Sequence, residues 1–135
     1  MSTATMPPRY KAHREFFAIR PDADDTRWTP VACDAGRIEE ILLGDSFNAT
    51  DRRGSRTRLA RWAPGTQIAE PVVHEFHEEV FLLEGELVVG GNADGLGGET
   101  FRAYTFACRP PGAVHGPFAS PRGCLMLEFQ YYDSL

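Results

Sequence analysis

The chain has 135 residues, a length that holds one domain but not two of ordinary size. Hydrophobic residues make up 42% and aromatic residues 11%, enough for a packed core, which excludes wholesale disorder. The net charge is −5, from 14 Lys and Arg against 19 Asp and Glu, and this acidic balance argues against a nucleic-acid partner.

Residues 1–14 are polar, carry the pair Pro7-Pro8, and read as a flexible or partner-docked tail before a single domain at 15–135. The N-terminus shows no apolar run long enough for a signal peptide, and no stretch approaches membrane-spanning length, so no membrane partner is expected. Cys33, Cys108 and Cys124 are odd in number and form no CxxC pair, which fits reduced thiols in a cytoplasmic protein. Cys108 and Cys124 lie in apolar segments and read as small buried hydrophobes.

Taken in chain order, 15–20 (EFFAIR) is a candidate first strand and 21–29 a turn-rich loop. Segment 37–43 (RIEEILL) is the one stretch that could pass for a turn or two of helix. Segment 56–62 (RTRLARW) alternates apolar and basic residues, the period of a half-buried strand. Strand-like segments follow at 67–74, 80–83, 86–89, 101–108 and 124–132, with most of the 13 Gly and 10 Pro between them. The run GGNADGLGG reads as a flexible hairpin loop and lacks the helix that a nucleotide cradle needs. Many short strands with closely spaced turn signals predict an all-β antiparallel sandwich or barrel. The segments 80–83 and 124–127 are apolar on both faces, so they need cover outside as well as inside. A second layer or a subunit contact would provide it, and a homodimer is expected. Arg52, Arg53, Arg56, Arg58 and Arg61 read as a solvated hairpin tip and edge strand, since no phosphate loop supports an anion site.

Three of the four histidines fall in two places: His74 and His77 beside Glu78 and Glu79, and His115 after Pro110-Pro111-Gly112. If 67–74 is a strand, Ile68, Glu70, Val72 and His74 share one face, and His74 meets Glu78 across a short turn. The Pro-Pro-Gly turn can deliver His115 to the same interior. Two imidazoles and one carboxylate then form an arrangement that leaves positions open around an ion, characteristic of non-haem Fe2+ and shared by Zn2+ and Mn2+. Taken singly, each of these residues has a bland reading as a turn or surface group; their joint occurrence carries the metal hypothesis. His13, in the polar tail, stands outside the site.

The run from Gly65 through His74, Glu78 and Gly85 resembles the first motif of the cupin superfamily, G-x5-H-x-H-x3-4-E-x6-G. The run Arg109-Pro110-Pro111-Gly112-Ala113-Val114-His115 is similar to its second motif, P-x-G-x2-H-x3-N. The resemblance covers about residues 56–132, and the wording of the second motif is most similar to the cupin half of zinc-binding anti-sigma factors, with the acetylacetone dioxygenases more distant. It implies a cupin-type antiparallel double-sheet β-barrel (jelly roll) with an N-terminal extension. It also implies His74, Glu78 and His115 as ligands of a divalent metal ion, Fe2+ first, with Zn2+, Mn2+ or Ni2+ as others. The chain departs from the motifs at Val72, where the first histidine belongs, at Gly65, one residue out of step, and at Ala119, where the final Asn belongs. Three ligands, rescue by His77, or a metal-free polar pocket are the resulting alternatives. The implied function is a metal-dependent small-molecule enzyme, foremost a non-haem dioxygenase. A ligand-sensing module and a metal-free isomerase stand beside it.

Overall fold

Period-2 alternation governs the chain from Ile38 onward, and each strand it forms turns its apolar or pairable positions toward one interior. The computed structural model describes residues 9–22, 25–92 and 96–133. These form nine strands and no helix: β1 (Thr29–Val31), β2 (Ile38–Asp45), β3 (Ser55–Trp62), β4 (Thr66–Ile68), β5 (His77–Val89), β6 (Glu99–Arg102), β7 (Thr105–Arg109), β8 (Phe118–Ser120) and β9 (Cys124–Tyr131). All pairings are antiparallel, and they make two sheets that share the long β5. One sheet runs β1-β2-β3-β9-β5-β7; the other runs β4-β8-β5-β6. The expected all-β double-sheet barrel is therefore the observed fold.

The corner between the sheets lies within β5. A bulge falls between Leu82 and Glu84, and Gly85 follows with φ +80°. A Cβ at Gly85 would sit 2.1 Å from the Gly123 carbonyl oxygen. Gly85→Ala is therefore expected to destabilise the protein by at least about 2 kcal/mol, combining a left-handed φ with a backbone clash. Urea denaturation reads this directly, and an unchanged midpoint would contradict it.

Between the sheets lie Ile38, Ala60, Trp62, Val80, Leu82 and Met126. Outside β2, β3 and β9 a second cluster forms from Trp28, Ile41, Leu59 and Leu125, capped by Ile19 and Leu43. The outer cover expected of the two-faced strands thus comes partly from the segment that precedes β1. Phe106 and Phe129 on the same sheet stay exposed.

Several expectations are corrected. Residues 15–20 form no strand; Arg27 donates to the Ala18 carbonyl, and Arg61 to the carbonyl of Pro21 just after the segment. The first strand lies later, at β1. RIEEILL is strand, because Glu40 turns inward while Glu39 turns out to Arg61. The strand expected over 67–74 stops at Ile68, and Pro71, which has no donor, follows soon after. The segments 80–83 and 86–89 merge into β5, and 101–108 splits into β6 and β7, which pair with different halves of β5. The arginine run is no edge, since β3 lies between β2 and β9 and turns Arg58 inward; only Arg52 and Arg53 occupy an exposed tip. Cys108 is exposed rather than buried, whereas burial pushes the Cys124 thiol up to about 11.

Residues 9–14 lie along the barrel, with Lys11 donating to Thr57 and Arg14 to the Leu43 carbonyl, while 1–8 fall outside the described residues. The glycine-rich loop is closed at its base by Asn92 N–H to the Leu96 carbonyl (2.9 Å), and 93–95 fall outside the description. Among the described residues, no helix is long and apolar enough to cross a membrane.

Candidate metal centre

Glu78 is the second residue of β5 and points inward, so strand parity alone places its carboxylate in the barrel, 5% exposed. The two histidines arrive on turns that are tied together. Val72 and His115 exchange both backbone hydrogen bonds (2.7 and 2.9 Å), and Gly112 N–H donates to the His74 carbonyl at 2.9 Å. These three bonds fix the His74 turn and the Pro110-Pro111-Gly112 turn in register. His74 is also held by stacking on Phe76, with ring centroids 4.5 Å apart and planes at 12°.

The ligand atoms of His74, Glu78 and His115 all lie within 4.8 Å of one another. His74 Nε2 is 3.7 Å from Glu78 Oε2, and His115 Nε2 is 3.6 Å from Glu78 Oε1. Ligand bonds of about 2.0–2.1 Å put neighbouring donor atoms roughly 3–3.4 Å apart, so each histidine stands only a few tenths of an ångström beyond that spacing from its own Glu78 oxygen. His115 Nδ1 lies 3.0 Å from the Ala113 carbonyl, a partner that only an N–H can serve. With Nδ1 donating there, Nε2 is the ring nitrogen turned toward the Glu78 carboxylate and available as a ligand atom. The same outer hydrogen bond orients metal-bound histidines generally. Burial lowers the His74 pKa, with the Glu78 carboxylate pulling the other way, and a neutral imidazole is the form that ligates. The donor set therefore fits a divalent ion.

His77 is not brought to this group. It begins β5 with the opposite parity, bonds Asp133 at 2.8 Å, and stacks on Tyr131 with planes at 5°. Val72, where the family motif carries a histidine, lines the cavity with methyl groups. His13 pairs with Glu15 on the surface.

Sequence reading missed the charged wall of the site. Arg109 Nη1 donates to Glu78 Oε1 at 3.0 Å, and Gln130 Nε2 to Glu78 Oε2 at 2.5 Å. Arg58 bridges Glu128 (2.7 Å) and Glu40 (3.3 Å) beside them. Burial pushes the Glu128 carboxyl up to about 7 despite Arg58, and raises Glu40 also. A signal was present: Glu128 and Gln130 hold the inward parity of an otherwise apolar strand, and Arg58 that of β3. These groups enclose a cavity of about 160 Å³, completed by Ile38, Trp62, Ile68, Leu87 and Phe118.

No protein-family model matches the chain, and no curated protein matches it in sequence. Solved structures do. An acetylacetone dioxygenase from Acinetobacter johnsonii superposes with TM-score 0.60 at 22% identity, over 90% of this chain and 79% of that one. An RmlC-like cupin from Shewanella frigidimarina gives 0.61 at 15% identity, over 92% and 95%. A cupin superfamily protein from Desulfitobacterium hafniense gives 0.56 at 16%, over 76% and 84%. At these identities the likeness defines the fold: this chain is built as a cupin barrel, with a His/Glu/His group in its interior.

Proposed function

We propose that the protein is a metal-dependent enzyme for a small molecule, a non-haem oxygenase acting on a carbonyl compound. The convergence of His74, Glu78 and His115 on one point inside the barrel carries this reading. A divalent ion there, Fe2+ in our reading, would supply Lewis-acid activation of a carbonyl oxygen and redox chemistry with dioxygen. The chain's own residues do the rest. Arg109 and Gln130 each donate to one Glu78 oxygen and fix the carboxylate in orientation. Val80, Leu87, Met126 and Phe118 exclude water and leave a cavity of about 160 Å³, smaller than sites for drug-sized ligands. The reading includes a cytoplasmic homodimer, supported by exposed Phe106 and Phe129 on one sheet face.

A specific observation favours one other reading, a metal-free isomerase: Glu78 already has protein partners on both oxygens. Oxygen uptake by iron-loaded protein offered small 1,3-diketones and 2-oxo acids separates the two. Uptake that requires both iron and substrate supports the oxygenase. Failure to retain iron, with no uptake but thermal stabilisation by one of these compounds, overturns it in favour of the metal-free isomerase.

A further inference from the structure

A second cavity of about 210 Å³ lies against the first. Val80, Leu87, Arg109 and Met126 line both. The character of the two differs sharply. The first holds Glu40, Arg58, His74, Glu78, His115 and Glu128, whereas the second is walled by Leu82, Val89, Phe101 and Ala107, with Thr105 and the exposed Phe106 at its β7 side and Arg109 its one charged lining residue. Arg109 turns its guanidinium to Glu78, which leaves its aliphatic stem as wall. Met126, unbranched and with three rotatable bonds, is the adaptable part of the shared boundary.

An apolar cavity of about 150 Å³ is enough to hold benzene, so this one has room for a small hydrocarbon group. We propose that the substrate is amphipathic, with oxygen donors at the His74–Glu78–His115 group and a hydrocarbon substituent of roughly four to six carbons in this second chamber. The inference rests on the metal-centre reading and adds the substrate's shape to it.

Calorimetric titration of zinc-loaded protein with acetohydroxamate, butanohydroxamate and hexanohydroxamate tests it, because the chelating head is constant and only the tail grows. Affinity is expected to rise about twofold to fourfold per methylene, so roughly 16-fold to 250-fold over the four methylenes of the series. Ala107→Phe, which fills the chamber from β7, is expected to flatten that dependence. Val89→Phe fills it from β5 and serves if the first variant does not fold. Equal affinity for all three compounds, or an undiminished rise in the folded variants, overturns the subsite while leaving the metal centre standing. A protein that retains no zinc overturns both.

Discussion

Replacing Arg58 by Met is expected to destabilise the protein by about 3–5 kcal/mol, because it leaves two buried carboxylates without their cation. Arg58 pairs with Glu128 at 2.7 Å and Glu40 at 3.3 Å, and no side chain of the three is more than 19% exposed. The effect carries a pH signature. Burial lifts Glu128 from 4.5 to about 7 even with Arg58 in place. A carboxyl with a raised folded pKa holds its proton more tightly folded than unfolded. The stability it contributes is complete below pH 4.5 and is lost as pH climbs through 7, a loss on the order of 3 kcal/mol. Removing Arg58 takes away a charge that lowers this pKa, so the loss extends to higher pH. The gap between wild type and Arg58→Met should therefore be wider at about pH 8.5 than at about pH 6, as read by urea denaturation. An equal gap at both would show that Glu128 does not depend on Arg58. Adding Glu128→Leu should restore part of the stability, since a matched apolar replacement removes the stranded charge.

His115→Ala has the largest effect expected on the site itself. Outer-shell changes cost metal sites about 10–100-fold in affinity, and loss of a ligand should cost at least the upper figure. Oxygen uptake should fall with it. His77→Ala gives the contrast, since that ring bonds Asp133 on the opposite face of β5 and should leave metal retention within about twofold. Competitive titration against a chromogenic chelator measures both variants. If His77→Ala released metal as readily as His115→Ala, the strand parity that separates these rings would not describe the loaded protein.

How much of this was legible in the sequence follows from what each element depends on. The barrel was readable because the strands alternate and the turns carry glycine and proline, both of which are local properties. Glu78 and His115 were readable because spacing within two motifs places them. The strand expected over 67–74 was not real beyond Ile68, yet His74 still faces Glu78. Its position is set by backbone bonds to the second motif's turn, not by strand parity. The arginine run shows the limit most clearly. As letters, Arg56, Arg58 and Arg61 look like a solvated edge; their meaning changes once β3 is flanked by β2 and β9. An inward arginine needs inward carboxylates, and Glu40 and Glu128 come from strands 18 and 70 residues away, found only through the pairing. The second chamber was invisible for the same reason, being built from four strands whose apolar residues look like ordinary core.

The central claim is that His74, Glu78 and His115 hold a divalent ion. Elemental analysis of protein purified without chelators, followed by anaerobic thermal denaturation with added Fe2+, tests it most directly. The expected result is close to one equivalent of a divalent transition metal, or its uptake with a clear rise in melting temperature, and loss of both in His115→Ala. No metal on the purified protein and no thermal shift with Fe2+, Zn2+, Mn2+ or Ni2+ would contradict it.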